Sequence, residues 1–367
     1  MNPFTATLAR TLATLAFLAL MLAGLGFVAT HLAGAGGERV AEAATGRGIL
    51  SGRFTAALDT AVVAALPKTP GLDDLAAGLS YLALGDAGPQ VRGGCPGWLF
   101  LAEEILEVKG GDANLAARLR LAGKLRDAFA ARGIALVVLP VPDKAELDAG
   151  NLCGLPVARQ ARQRRAAWQA ASAPLGLDQL DLADGWPKGA FLRTDTHWNV
   201  AGARFAAGRL AAAIDRRLGP GTTRITLEES APRLRVGDLM RLAGLSRSWP
   251  WSGPTPDEEP EVTARIARSG GLLDDVAAPA VLLAGSSYSL NSGFADQLQA
   301  ALGREVAQKS REGSGFAGAL LDILDRTPHM LDGVRLVVWE FPLRSLTLPL
   351  STDERRHLAD QTPGDET

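Results

Sequence analysis

Apolar runs of strand length alternate with longer stretches of helical periodicity through the middle of this chain. The strand-length segments occupy residues 134–139, 177–182, 280–284 and 334–341, with a shorter one at residues 305–307; those at residues 134–139 and 280–284 are apolar throughout. Between them, apolar side chains repeat at helical spacing over residues 115–129, residues 157–171 and a stretch after Val200. This alternation predicts an α/β fold with mostly parallel strands, whose functional groups lie at the carboxyl ends of the strands.

The N-terminal segment is apolar in a different way, because residues 11–30 carry no ionisable side chain. As a helix rising about 1.5 Å per residue, this segment spans roughly 30 Å, the thickness of a bilayer core. It is longer than the apolar core of a signal peptide, which favours an uncleaved transmembrane anchor within residues 1–33. Small-residue pairs at Ala33 and Ala35, and at Ala41 and Ala43, keep a cleaved signal sequence as the alternative.

The remaining chain divides by its composition. Residues 34–48 are small and polar and are predicted to be a linker. Residues 49–350 carry the α/β pattern, which residues 224–271 interrupt as a predicted insertion over the active site. Residues 351–367 are charged and lack a core pattern, so we predict a mobile tail.

The overall composition bears on the class of protein and on its expected partners. The chain is 47% hydrophobic and 21% charged, with a net charge of −2, which is typical of a globular protein with a sizeable core. Without a basic stripe to neutralise phosphates, nucleic acid is not an expected partner. The two cysteines, Cys95 and Cys153, suit a disulfide in an oxidising compartment, or two buried free thiols. We expect neither a metal nor an organic cofactor.

One histidine stands out by its neighbours. Of the four histidines, only His197 has a carboxylate two residues away, at Asp195. From that position an Asp can fix the tautomer of the imidazole and stabilise its protonated form. We expect Thr194 or Thr196 to cap the helix that follows. The alternative is a surface turn in which the Asp caps the helix and the His has no function.

A nucleophile candidate follows a strand. The apolar run at residues 280–284 leads into Gly285, Ser286, Ser287, Tyr288 and Ser289, and then into a helix-compatible stretch. A strand, a tight turn and a helix together expose a serine and offer backbone N–H groups to an oxyanion. The alternative is an ordinary loop with capping serines. With the Asp-X-His motif, this turn completes a Ser-His-Asp set.

These motifs together resemble the AlgJ/AlgX family of alginate O-acetyltransferases. The resemblance extends to motifs that begin at Gly97 (GWLF), Leu139 (LPVPDK), Gly237 (GDL) and Val338 (VWEFP). It implies an SGNH-hydrolase-like α/β/α sandwich with a mostly parallel sheet, in which Ser287 is the nucleophile, His197 the base and Asp195 the residue that orients it. It also places Gly313 and Gly315 in a Gly-rich loop, whose backbone N–H would join that of Ser287 in the oxyanion hole.

The same resemblance implies a periplasmic enzyme at the inner membrane. It would acetylate an exopolysaccharide through an acetyl-serine, using acetyl from a membrane-bound O-acyltransferase. An acetylesterase with the same triad and a non-catalytic polysaccharide-binding scaffold are the alternatives. Trp249 and Trp251 in the interruption are candidate sugar-stacking residues, or parts of a hydrophobic lid. Arg344 resembles a family Arg that either forms a structural ion pair or meets the polysaccharide.

Overall fold

A computed structural model describes residues 3–66, 70–267 and 278–359. The chain divides into two compact units, Met1–Asp73 and Asp74–Thr367, which are described separately. The first unit contains helices α1 (Pro3–Leu32), α2 (Ala35–Ala43), α3 (Gly46–Leu50) and α4 (Arg53–Ala65). The residues predicted as a linker therefore contain α2 and the start of α3, whose N-cap Thr45 accepts a hydrogen bond from the Gly48 N–H.

Helix α1 is long and apolar enough to cross a membrane. Its segment Thr14–Leu32 has 19 residues and a mean hydropathy of 2.1, and none of it is buried in the protein. Length and composition agree with the predicted N-terminal transmembrane helix.

The second unit contains the remaining elements. Its helices are α5 (Pro70–Leu84, which begins in the first unit), α6 (Ala102–Ile105), α7 (Gly111–Ala130), α8 (Lys144–Leu147), α9 (Arg159–Ser172), α10 (Val200–Leu218), α11 (Asp238–Leu242), α12 (Phe294–Leu302), α13 (Gly318–Arg326) and α14 (Thr352–Ala359). Its strands are β1 (Val91–Gly93), β2 (Leu99–Leu101), β3 (Ala135–Val141), β4 (Asp178–Gln179), β5 (Arg224–Glu229), β6 (Arg233–Arg235), β7 (Asp257–Glu259), β8 (Val262–Ala267), β9 (Val281–Gly285), β10 (Val306–Ser310) and β11 (Leu336–Pro342).

A five-stranded parallel sheet, in the order β10-β9-β11-β3-β4, forms the centre of this unit. Alternate residues of its strands enter two separate cores. Val138 and Trp339 pack with α7, α9 and α13, whereas Val137 and Val338 pack with α10 and α12. Helices thus cover both faces, which explains why the inner strands are apolar on both sides. The predicted α/β/α sandwich is confirmed.

The interruption of the α/β pattern forms small antiparallel pairs. Strand β5 pairs with β8 and β6 pairs with β7, while α11 lies between β6 and β7 in sequence. Residues 268–271 of the predicted insertion lie outside the described residues. The two cysteines are joined by a disulfide that links the β1–β2 region to the loop after α8, with 4.9 Å between the Cα atoms of Cys95 and Cys153.

The prediction of a mobile tail is wrong for residues 352–359, which form α14. Its residue Glu354 pairs with Arg118 of α7 at 2.8 Å, and each of these side chains is only 3% exposed. Arg118 also donates hydrogen bonds to the carbonyls of Leu346 and Leu348. The sequence of α14 is polar, and polar contacts attach most of it: besides the Glu354 pair, Lys124 of α7 donates to the His357 carbonyl at 2.8 Å. Residues 360–367 lie outside the described residues.

We expect the change Glu354→Ala to lower the free energy of unfolding by about 3–5 kcal/mol, because it leaves the buried Arg118 guanidinium unpaired. The double change Arg118→Met with Glu354→Leu should cost less, since it removes both charges together. Denaturant unfolding of the purified variants measures both values. A Glu354→Ala variant as stable as the parent would contradict the stabilising role of the Arg118–Glu354 pair.

Candidate active site

The turn that carries Asp195 and His197 is closed by backbone hydrogen bonds at its base. Phe191 and Trp198 form an antiparallel bridge, and the Leu192 N–H donates to the His197 carbonyl at 3.1 Å. Asn199 then caps α10, because its side-chain oxygen accepts from the N–H groups of Ala201 and Gly202 at 3.0 and 3.1 Å. The expectation that Thr194 or Thr196 is the cap is therefore wrong, since the helix begins at Val200.

Three side chains from this turn and from the end of β9 form a continuous line of hydrogen bonds. His197 Nδ1 lies 2.6 Å from Asp195 Oδ1, and His197 Nε2 lies 2.7 Å from Ser287 Oγ. A carboxylate only accepts hydrogen bonds, so Nδ1 carries the proton and Nε2 is free to accept the Ser287 proton. The structure thus brings together the three residues that the sequence singled out.

Asp195 is held as a carboxylate by its surroundings. It is 1% exposed, and burial alone would raise its pKa. Hydrogen bonds from His197, together with the charges of His197 and Arg235, outweigh that effect and hold the pKa of Asp195 well below its usual value. Its second oxygen accepts the Asp238 N–H at 3.0 Å and faces Arg235 at 3.5 Å. Asp195 can therefore stabilise a protonated His197.

The interruption supplies three carboxylates that bind N–H groups of this turn and of the α10 terminus. Asp257 accepts from the Arg193 and Thr194 N–H groups at 3.0 and 2.8 Å. Asp238 accepts from the Thr196 N–H at 2.7 Å. Glu259 accepts from the Val200 N–H at 2.7 Å. In the sequence, Asp238 belongs to the GDL motif, while Asp257 and Glu259 belong to a short acidic run at residues 257–259.

A close approach of two backbones brings the interruption to the turn. A side chain at Gly237 would overlap the carbonyl of Thr194, so only a glycine allows the α11 start to lie so near. The contacts described here place the interruption beside the Asp195–His197 turn, which it supports. That it also covers the active site stays a prediction.

The serine turn distinguishes its three serines. Ser286 donates through its N–H and its hydroxyl to the Glu340 carboxylate at 2.7 and 2.8 Å, and Ser289 donates to the same carboxylate at 2.7 Å. Both serines are buried, whereas Ser287 is partly exposed and faces His197. Gly285 permits this packing, because a side chain there would overlap Ser289 and Glu340. Ser287 is the serine with its hydroxyl directed at the base.

Lys144 is a component of the site that sequence reasoning assigned only to a motif. Its ammonium is fully buried and donates to the carbonyls of Leu99, Arg193 and Asp195 at 2.7, 2.9 and 3.0 Å. The rings of Trp98 and Phe100 lie 5.3 and 5.0 Å from Nζ. Lys144 thus uses its three donors to attach the Asp195–His197 turn to β2.

The pKa of the Lys144 ammonium is lower than that of an exposed lysine. Burial lowers the pKa of its ammonium to about 8, although the carboxylates of Glu104, Asp257, Asp195 and Asp148 act in the opposite direction. Loss of this proton removes one of three donors from the turn carbonyls. We therefore expect the geometry of the turn to depend on pH near this value.

Tyr288 and Arg344 form a second buried support. The Tyr288 hydroxyl donates to the Thr196 carbonyl at 2.9 Å, and its ring lies edge-on to His197 at 4.9 Å. Arg344 donates to the Tyr288 hydroxyl and to Glu104, each at 3.4 Å, and its side chain is 12% exposed. Of the two expectations for Arg344, the contacts favour the structural ion pair over contact with the polysaccharide.

The remaining predicted site residues are two glycines in the loop after β10 and two tryptophans in the interruption. Gly313 and Gly315 belong to the loop after β10, in which Ser314 Oγ donates to the Gly285 carbonyl at 3.1 Å. Trp249 packs against the apolar cluster around Leu239 and Met240, so it is partly buried. Trp251 is 47% exposed. Their roles toward an oxyanion and toward sugar stay predictions.

Asp195, His197 and Asp238 form the one cluster of metal-ligand side chains within residues 3–66, 70–267 and 278–359, with donor atoms within 4.8 Å of one another. His197 Nδ1 is directed at Asp195, and both oxygens of Asp238 accept from Thr196. These atoms are therefore already engaged in hydrogen bonds with one another and with Thr196.

A parallel sheet with a serine at the end of β9 and an Asp-X-His turn beside it define an SGNH-hydrolase-like domain. A family profile described as "SGNH hydrolase-like domain, acetyltransferase AlgX" matches residues 91–343. The chain belongs to this family.

Individual relatives extend the similarity over most of the chain. The "Probable alginate O-acetylase AlgJ" of Pseudomonas fluorescens is 31% identical over 311 residues, which are 81% of this chain and 79% of that protein. The protein of the same description from Azotobacter vinelandii is 30% identical over 295 residues, 77% of this chain and 76% of that one. The solved O-acetyltransferase domain of Pseudomonas putida AlgJ superposes with a TM-score of 0.66 at 27% identity, covering 75% of this chain and 100% of that domain.

We expect the change Lys144→Met to lower kcat about 10- to 100-fold, because the catalytic turn loses the ammonium that holds its carbonyls. The parent should also lose kcat above pH about 8, as Lys144 deprotonates, while the variant should lack this alkaline decline. Rates of acetyl-ester hydrolysis across pH measure both effects.

The exposed Lys109 provides the matched control, and Lys109→Met should behave as the parent does. A circular dichroism spectrum like that of the parent shows whether the Lys144 variant is folded. Normal kcat and an unchanged pH profile in a folded Lys144→Met variant would contradict the positioning role.

Proposed function

We propose that this chain is an O-acetyltransferase that acetylates hydroxyl groups of an alginate-like exopolysaccharide through an acetyl-Ser287 intermediate. The observation that carries the proposal is the line of hydrogen bonds from Asp195 through His197 to Ser287, with distances of 2.6 and 2.7 Å. The family supports the acetyl-transfer chemistry, and the names of the relatives support alginate as the acceptor class.

Formation of the intermediate follows from the proton positions. His197 Nε2 takes the proton of Ser287 Oγ as this oxygen attacks the acetyl carbonyl carbon of the donor. The protonated His197 is stabilised by Asp195 and then gives the proton to the leaving group of the donor. Ser287 is left as an acetyl ester.

The second half uses the same residues in reverse. His197 Nε2 accepts the proton of a sugar hydroxyl, and the sugar oxygen attacks the acetyl carbon of acetyl-Ser287. The bond to Ser287 Oγ breaks, and Oγ recovers its proton from His197. The acetyl group ends on the sugar as an ester, with no net change of protons on the enzyme.

The negative charge on the acetyl oxygen requires donors. Ser287 begins a 3-10 turn, Ser287–Leu290, so its own N–H has no acceptor within that turn. The neighbouring N–H groups of Ser286 and Tyr288 are occupied by Glu340 and by Ser286 Oγ. We therefore assign the Ser287 N–H to the oxyanion, joined by an N–H of the loop that holds Gly313 and Gly315.

The proposal includes a location in the periplasm, with α1 in the inner membrane. The apolar helix and the Cys95–Cys153 disulfide support placement outside the cytoplasm. Cytosolic acetyl donors do not reach that compartment, so a membrane-bound O-acyltransferase that carries acetyl across the membrane is the proposed partner. The hydrogen-bonded line from Asp195 through His197 to Ser287 argues against a non-catalytic scaffold.

We expect Ser287→Ala to lower acetyl-ester hydrolysis and acetyl transfer by at least about 10⁴-fold. His197→Ala should cost about as much, and the double variant little more, because members of a triad act as a unit. Initial rates with a chromogenic acetyl ester measure these losses. Ser286→Ala tests the choice of serine, since this change should lower stability by about 1–3 kcal/mol through lost contacts to Glu340 while acyl-enzyme still forms. Full activity in Ser287→Ala would overturn the assignment.

A second experiment separates a transferase from an acetylesterase, which shares the acetyl-Ser287 step. With an acetyl donor ester and a soluble alginate oligosaccharide, we expect acetyl on the sugar at millimolar acceptor despite water at about 55 M. This outcome requires an acceptor site with a large effective molarity near His197. Mass spectrometry of the products measures the ratio of transfer to hydrolysis.

The same assay tests Trp249 and Trp251 as sugar platforms. Replacing both with Ala should lower the ratio of transfer to hydrolysis if the rings stack on the acceptor. Free acetate as the product at every oligosaccharide length would favour the esterase. An unchanged ratio in the double Trp variant would leave the enzyme class intact and place the acceptor elsewhere.

A further inference from the structure

A groove of about 380 Å³ lies beside the nucleophile turn. It is lined by β6, which carries Arg233 to Arg235, by the turn from Leu290 to Gly293 that follows Ser287, and by the stretch from Glu259 to Thr263. None of the residues proposed for the chemical steps lines it, so the mechanism above leaves the groove without a role.

The groove is connected to the triad through two of its lining residues. Asn291 donates its side-chain amide to the Ser287 carbonyl at 2.7 Å. Arg235 donates to the Asn291 side-chain oxygen at 2.5 Å and faces Asp195 at 3.5 Å. A ligand that contacts Asn291 or Arg235 in the groove is therefore separated from Ser287 or from Asp195 by a single side chain.

Arg233 gives the groove an unused positive charge. It is exposed, and it has no ion-pair or hydrogen-bond partner among residues 3–66, 70–267 and 278–359. Glu259 lies opposite it in the β6–β7 register, but the carboxylate of Glu259 already binds Arg235 and the Val200 N–H. Alternation along β6 puts Arg233 and Arg235 on the same face of the strand.

The other lining groups suit a sugar. Leu290 is 48% exposed and offers apolar surface to the C–H face of a ring. Glu261 and Asp296 offer carboxylate oxygens to sugar hydroxyls. An Arg with a planar fork of donors binds a carboxylate in two parallel hydrogen bonds. A ring that carries hydroxyls and one carboxylate matches this set.

We propose that the groove is an acceptor subsite that binds a uronate ring adjoining the ring to be acetylated, with Arg233 pairing with its carboxylate. The inference rests on the proposed function for the identity of the reaction, but the binding contact itself does not depend on transfer. Arg233 is thus a specificity residue that selects an anionic polysaccharide over a neutral one.

The test compares Arg233→Gln with the matched control Arg224→Gln. Arg224 is an exposed arginine on β5, the strand that precedes β6 in sequence, and it lies outside the groove. With full-length protein in detergent, a fixed acetyl donor ester and a six-ring oligomannuronate, KM for the acceptor should rise about tenfold in Arg233→Gln. It should stay at the parent value in Arg224→Gln. Arg233→Lys should recover part of the loss, and 0.5 M salt should shrink the difference.

Binding without turnover keeps this inference separate from the proposed function. In the Ser287→Ala background, titration of the oligomannuronate monitored by NMR should show weaker binding when Arg233→Gln is added. Cellohexaose, a neutral six-ring sugar, should bind alike with and without the change. Arg233-dependent binding without acetyl transfer would support the subsite and contradict the transferase. Equal oligomannuronate binding in both proteins would overturn the subsite, whatever the transfer assay shows.

Discussion

The burial of the Asp195–His197 turn is the constraint on which the rest of the site depends. Thr194, Asp195, Thr196 and His197 are each at most 6% exposed, so the polar groups of their backbone need partners inside the protein. An unpaired buried N–H or carbonyl costs about 1–3 kcal/mol, which a marginally stable protein cannot bear several times over. The surrounding residues of the site supply these hydrogen-bond partners.

The hydrogen-bond partners of the turn come from distant parts of the chain. Carboxylates from the interruption accept from the N–H groups of the turn, and Lys144 donates to its carbonyls. Each of these partners brings a charge as well as a hydrogen bond, so carboxylates and the Lys144 ammonium lie around the same turn. The result is a turn held in place from both sides, which is the preorganisation that acid–base catalysis requires.

The sheet gives the same site its second component. Adjacent parallel strands β9, β11 and β3 end at one edge, where Ser287, Arg344 and Lys144 follow them. Glu340 of β11 fixes the serine turn through Ser286 and Ser289, which leaves Ser287 free to face His197. The groove proposed for the acceptor is linked to this site through Asn291, which binds the Ser287 carbonyl, and through Arg235, which faces Asp195.

The sequence by itself determined the α/β alternation and the apolar N-terminal helix, and it singled out Asp195, His197 and Ser287, which the fold brings together. Period, run length and the spacing of Asp195 to His197 are local signals, readable within a few neighbouring positions. Tertiary structure decided which cap begins α10, how α14 attaches through Glu354 and Arg118, and which distant carboxylates support the turn. It also decided that Arg344 supports Tyr288. These are pairings between residues far apart in the chain, and a polar side chain carries no sequence signal of the partner that folding brings to it.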